Sequence, residues 1–265
     1  MLYDPNVAET ATVSRTAPAT AFGTIDFLGL HFRRGEQKDI LDHIGGRQQS
    51  ETFSYVLTPN VDHVVRLQHS RSDLWPVYRR AWLTLCDSRI LARLARNSGL
   101  QLPIVTGSDL TAALFRDVIR SDDRVAILGG SEEAVEQLRR TYGLTDVVHH
   151  NPPMGFIADD AALSHATEFL IDAKARYSFL AVGSPQQEIL ACRVERSGKA
   201  TGIGLCVGAS LEFLTGGQVR APRFVQRLSL EWLFRLLSQP GRLWRRYLVD
   251  GPMIFQIYRN WGRAA

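Results

Sequence analysis

From Thr24 onward, short apolar runs alternate with amphipathic stretches, and this alternation constrains the fold more than any other feature of the chain. The runs Tyr55–Leu57, Leu83–Cys86, Val125–Leu128, Val147–His149, Phe179–Val182 and Ile203–Val207 read as strands. Between them, Val61–Gln68, Ser88–Arg96, Asp109–Ile119, Glu132–Tyr142, Ala161–Ala175 and Gln186–Arg196 read as helices. Strands separated by helices of about ten residues imply βαβ units. The expected fold is therefore α/β, a Rossmann-like, largely parallel sheet flanked by helices.

Two strand-to-helix junctions are sharply written. VAILGG runs into SEEAVEQLRR, with Gly129 and Gly130 at the turn, Ser131 as N-cap and two glutamates in the first turn. FLAVG runs into SPQQEIL, with Gly183 at the turn, Ser184 expected as N-cap and Pro185 at the first helical position. Such turns lie at the carboxyl ends of parallel strands, where open α/β sheets bind ligands. Backbone amides at the helix starts suit a phosphate or pyrophosphate.

The flanks differ from this body. Residues 1–22 are rich in Ala and Thr, lack apolar periodicity and are expected to be disordered. They hold early acids and no apolar core, so no signal peptide is expected. After Gly216 the strand pattern stops, and Phe224–Ser238, Gly241–Val249 and Met253–Trp261 read as three helices punctuated by Pro222, Pro240 and Pro252. The domain reading is thus an α/β body over 23–219 and a separate helical appendage over 220–265.

Charge follows the same division. The 265 residues carry a net +4, yet from Val219 to Ala265 there are nine Arg, no Lys and two acids, a local +7, which leaves the first 218 residues at −3. Trp232, Trp244 and Trp261 lie in the same basic segment. Three readings stay open for it: a solvated helix face, a nucleic-acid grip, or a hold on anionic membrane or a lipid diphosphate. No apolar run reaches the roughly 18 residues of a spanning helix, so a soluble or peripheral protein is expected.

Several candidate sites weaken on inspection. Gly202-Ile-Gly-Leu-Cys-Val-Gly208 places its glycines within a strand, which argues against a dinucleotide fingerprint. Adjacent His149 and His150 point to opposite faces of a strand and cannot chelate one metal. The three cysteines, Cys86, Cys192 and Cys206, are too scattered for a zinc cluster or a disulfide framework. No structural metal is expected; Mg²⁺ carried by substrate phosphates would leave no signature. Asp87, at the end of an apolar run, is either a general base at the sheet's edge or an N-cap for the next helix, and pattern alone puts capping first. Thr58-Pro-Asn60 poses the same choice. Gln186, Gln187 and Glu188 open a helix at a strand's carboxyl end; the helix dipole alone accounts for Glu188, while the two glutamines could bond hydroxyls or a uracil edge.

Together these pieces resemble the WecG/TagA/CpsF family of bacterial glycosyltransferases, from about Thr24 to Leu248. The motifs are Thr58-Pro-Asn60, Gly107-Ser-Asp109-Leu110, Gly129-Gly130, Gly183-Ser-Pro-Gln-Gln-Glu188, and a tail with Gly208, Arg220-Ala-Pro222, Glu231-Trp232, Arg235, Pro240, Arg242 and Arg245-Arg246-Tyr247. The resemblance implies an inverting, metal-independent transfer of a sugar, of N-acetylmannosamine or uronic-acid type, from a UDP-sugar to a polyprenyl-diphosphate-linked acceptor. No cofactor beyond the UDP-sugar co-substrate is implied, and no nucleic acid. The place implied is the cytoplasmic face of the inner membrane, in exopolysaccharide or cell-envelope glycan synthesis, with self-association left open.

The resemblance also reverses the order at Asp87, which becomes the catalytic base with Thr58 beside it. Substrate binding falls to Asn60, Asp109, Gly129, Gly130, Gly183, Gln186, Gln187, Glu188 and Gly208, with Arg220, Arg227 and Arg235 from the tail. Three positions depart from the family pattern: Ser88 for Gly, Ile104 for Arg, and Glu212 for Asp. The alternative is an inactive, membrane-docked UDP-sugar-binding partner of another transferase.

Overall fold

The computed structural model describes residues 23–216 and 231–264. Its centre is a six-stranded sheet of β3 (Ser54–Leu57), β4 (Leu83–Thr84), β5 (Val125–Leu128), β6 (Val147–His150), β7 (Tyr177–Leu180) and β8 (Ile203–Cys206). The strands lie in the order β4-β3-β8-β7-β5-β6, and every pairing is parallel. The chain builds outward from β3 to one edge and from β5 to the other, and β7 and β8 fill the gap. That reversal of winding opens a crevice above the strands' carboxyl ends.

Side-chain alternation along the strands sorts the core into two layers. Tyr55, Leu57, Ala126, Leu128, Leu180 and Cys206 face one layer, packed by α2 (Val61–His69), α4 (Arg89–Asn97), α7 (Asp160–Ala173) and α8 (Gln186–Ser197). Val56, Val125, Ile127, Phe179 and Leu205 face the other. There α1 (Gln37–Gly45), α5 (Gly107–Ala113), α6 (Glu132–Tyr142) and α9 (Ser210–Leu214) supply the cover. Tyr177 and Ser178 are fully buried in the central strand β7. The strand therefore begins two residues before the expected Phe179, and Ala181 to Gly183 turn out toward the crevice.

A hairpin absent from the sequence reading precedes the sheet. β1 (Thr24–Phe27) pairs antiparallel with β2 (Leu30–Arg33) across Leu28-Gly29. Both turn residues have positive φ, 54° and 84°, as a two-residue hairpin turn demands. Leu is a poor residue there, yet Leu28 is buried in the core, and that burial offsets the backbone cost. A Cβ on Gly29 would lie 2.8 Å from the Trp75 ring. Helix α1 and the segment α3 (Trp75–Arg80) were likewise unread.

The C-terminal helices are α10 (Glu231–Ser238), α11 (Pro240–Trp244), a π-helical turn over Arg245–Asp250, and α12 (Met253–Ala264). Ile254 and Ile257 of α12 enter the same core layer as α2. Trp261 meets Phe27 edge-on at 5.1 Å between ring centroids, and Tyr258 shares a 2.7 Å hydrogen bond with Ser98. The expected appendage is thus anchored on the body at its far end. The expected disorder of residues 1–22 and the start of the first tail helix at Phe224 lie outside the described residues.

Candidate active site

The carboxyl ends of the strands open into one cleft of about 1010 Å³. Thr58 after β3, Asp87 after β4, Gly129 and Gly130 after β5, Gly183 after β7 and Gly208 after β8 all line it. The tail closes the opposite wall with Phe234, Leu243, Arg246 and Tyr247.

At the junction after β4, Ser88 caps α4, accepting the Leu91 N–H at 3.2 Å. The capping role that pattern assigned to Asp87 therefore belongs to its neighbour. Asp87 instead accepts the Gly107 N–H at the start of α5, at 3.3 Å, where the helix dipole favours a negative charge. A Cβ on Gly107 would stand 3.0 Å from Thr58 Oγ1, 3.4 Å from Ser210 Oγ and 3.6 Å from Asp87 Oδ2. Gly107 is the point at which these side chains converge. Thr58 donates to the Cys206 carbonyl at 3.4 Å.

Asn60 caps α2, accepting the Asp62 N–H at 3.1 Å, and it lines the cleft. Ser131 caps α6 as expected, through the Ala134 N–H. Ser184 does not cap α8. The N-cap is Pro185, without a side-chain bond, and the helix starts at Gln186. The Ser184 hydroxyl instead accepts from Arg66 Nη2 at 2.6 Å.

Two expected binding residues sit off the cleft wall. Asp109 bonds back to Thr106, taking its hydroxyl at 2.8 Å and donating its own N–H at 3.1 Å. Glu188 is 1% exposed and lies beneath the cleft. Its Oε1 faces His63 Nε2 at 3.3 Å and accepts from Gln187 Nε2 at 3.1 Å. Burial alone would raise the Glu188 carboxyl, but the hydrogen bond and charge of His63, with the Gln187 amide, outweigh it and hold the group below its ordinary value. Gln187 reaches the cleft wall while its Oε1 accepts the Gly208 N–H at 2.9 Å. Gln186 also lines the cleft.

Of the tail arginines, Arg220 and Arg227 lie outside the described residues, as does the side chain of Arg235. Arg246 is the tail arginine described in the cleft, bridged to Asp62 of α2 at 3.4 Å. It stood in the Arg-Arg-Tyr motif without being singled out. His63 was also missed: one histidine on an apolar helix face carries no signal until Glu188 is placed beside it. Of the departing positions, Ser88 caps α4, Glu212 lines the cleft, and Ile104 bridges to Cys86 away from it. Among the described residues no group of three or more His, Cys, Asp or Glu is placed to hold a metal ion.

The fold and the cleft define a doubly wound α/β protein with a carboxylate and helix starts at the sheet's open edge. A family model described as glycosyl transferase WecG/TagA/CpsF matches residues 25–264. The chain belongs to that family and has a glycosyltransferase role.

Proposed function

We infer that the protein transfers a sugar from a UDP-sugar to a polyprenyl-diphosphate-linked acceptor, with inversion, at the membrane surface. The observation that carries this reading is the convergence of Asp87, Thr58 and the strand-end glycines in one cleft. Asp87 takes the proton of the acceptor hydroxyl as its oxygen bonds to the anomeric carbon. The bond from that carbon to the diphosphate breaks on the opposite face, and UDP leaves. The charge on the leaving group is met by the amides after β5 and β7 and by tail arginines, Arg246 among them, without a metal ion. Arg220, Arg227 and Arg235 belong to the same proposal.

The acceptor side is supported by a second cavity of about 490 Å³. It shares Asn60, Asp87, Arg246 and Tyr247 with the first and continues past Trp232, Ile254 and Phe255. Leu237, Trp244, Leu248, Val249 and Phe255 expose apolar side chains on the tail helices, with Arg245 and Arg259 on the same segments. Apolar and aromatic groups with arginines suit an anionic membrane surface. No described helix is long and apolar enough to cross a bilayer.

A thermal-shift screen of UDP-sugars tests the donor. A bound donor at a hundredfold excess over its dissociation constant stabilises the fold by about 2.7 kcal/mol, and a panel that leaves the melting temperature unmoved speaks against the reading. Flotation on anionic vesicles, for the wild type and for a variant with the exposed Leu237, Trp244 and Leu248 replaced by Ser, tests docking. Equal flotation of both forms removes the tail's membrane role.

A further inference from the structure

Asp62 occupies the first turn of α2, where the helix dipole alone would account for an acid. Its contacts go further. Oδ2 lies 3.5 Å from Arg66 Nη1, one turn along the same helix, and 3.4 Å from Arg246 Nη2 of the tail. The carboxylate is shared between two guanidiniums, so the trio keeps one net positive charge. Side-chain exposures are 16% for Arg66, 25% for Asp62 and 34% for Arg246, and salt screens such a group less than a fully exposed pair.

Both arms of the trio end at the cleft. Arg66 is held at its other amino group, where Nη2 donates to Ser184 Oγ at 2.6 Å. Ser184 lies in the turn after β7 and lines the cleft beside Gly183. That bond, with the Asn60 cap on the Asp62 N–H, ties Asp62 to the body. Arg246 lines both cavities, as do Asn60, Asp87 and Tyr247. Its guanidinium lies over the Tyr247 ring, 5.7 Å from the centroid, but Tyr247 belongs to the tail itself. Among the described residues it is Asp62 that gives Arg246 an ion pair on the body.

We propose that Asp62 is a positioning residue of the transfer reaction: fixed by Arg66, its carboxylate holds Arg246 at the junction of the two cavities, where the guanidinium meets the diphosphate of the leaving group. This rests on the glycosyl-transfer reading above. Arg66 also grips the turn after β7, so one pair sets the tail cation and that turn's amides relative to each other. A cation already in place needs no reorganisation as charge builds on the leaving group. Two other roles for Asp62 predict different behaviour. A plain first-turn acid would, on neutralisation, cost helix stability and leave the action of Arg246 unchanged. A carboxylate that merely repels the diphosphate would, on neutralisation, speed the reaction.

Two readouts on the full-length chain test this. The first is amide hydrogen exchange over Arg245–Asp250 without substrate. Exchange there should be faster in Asp62→Asn than in the wild type and return toward the wild-type rate in Asp62→Glu, which keeps the charge; unchanged exchange in Asp62→Asn overturns the anchoring. The second is steady-state sugar transfer. Asp62→Asn keeps the side chain's size and should lower kcat by about tenfold or more, the scale of a misplaced group. KM for the donor should move little, because the leaving-group charge develops in the transition state. In an Arg246→Gln background the same substitution should cost nothing further. A wild-type or faster rate in Asp62→Asn, or losses that multiply in the double variant with every form folded by thermal melt, overturns the positioning role. If the wild type transfers sugar from no UDP donor, the functional reading fails, while hydrogen exchange still decides whether Asp62 anchors the tail.

Discussion

Asp87 faces the cleft rather than the first turn of the next helix, because Ser88 caps that helix. Two adjacent cap-forming residues cannot be ordered from pattern alone, since either places an oxygen near the first-turn amides. The backbone decides, turning Asp87 toward Gly107. Ser88→Ala should cost about 1 kcal/mol of stability, read by urea denaturation, while an Asp87 variant should lose turnover rather than fold. Gly107→Ala should lower kcat at least tenfold with the fold retained. Its Cβ would press on Thr58 Oγ1 at 3.0 Å, and steady-state kinetics with circular dichroism would separate the two effects. In sequence Glu188 reads as an ordinary first-turn glutamate, which the family resemblance turns into a substrate-binding residue; its burial depends on His63, 125 positions away in the chain. Its lowered pKa means that its contribution to stability is complete above the unfolded value, roughly pH 4.3. That contribution fades as pH falls through the lower folded value. In Glu188→Gln, the acid loss of stability should be shallower across that window, and an equally steep loss would contradict the ion-pair account.

Elements whose periodicity is strong were legible, and those held by tertiary contact were not. Glu132–Tyr142 carries a Ser cap, first-turn acids and a closing Gly143, and its bounds match the reading from sequence. The β1–β2 hairpin has a Leu-Gly turn in place of Asn-Gly, so its local signal is weak. Burial of Leu28 supplies what the turn lacks. The tail's last helix reads as part of a separate helical appendage, because its apolar residues have no partner visible in sequence. In the fold, Ile254 and Ile257 meet the layer around α2. Ile254, 1% exposed, should on substitution by Ala cost about 2–5 kcal/mol, measured by chemical denaturation. A cost below 1 kcal/mol would mean that α12 does not share the body's core.

Across the whole molecule, the charge division between a −3 body and a +7 tail matches a division of surfaces. The strand ends form the floor of the cleft, and the tail contributes a wall with Arg246 and exposed apolar groups. The strand-end glycines were readable because parallel α/β sheets place their turns at one edge; the tail's contact with Asp62 was not, since it depends on a crossing between distant segments. The three thiols are buried. Burial, with the Asp87 charge adding to it, pushes Cys86 up to about 12. Thiol reagents at neutral pH should therefore label the native chain little and all three cysteines on unfolding; rapid native labelling would contradict the packing.

The central claim is that Asp87 is the base of sugar transfer. Its most direct test is Asp87→Asn, assayed for transfer from a UDP-sugar to a polyprenyl-diphosphate-linked acceptor alongside donor binding by calorimetry. The account predicts donor affinity within a few-fold of the wild type and a transfer rate lower by about 10²-fold or more, the scale of general-base catalysis. Transfer at the wild-type rate by a folded, donor-binding Asp87→Asn protein would contradict it.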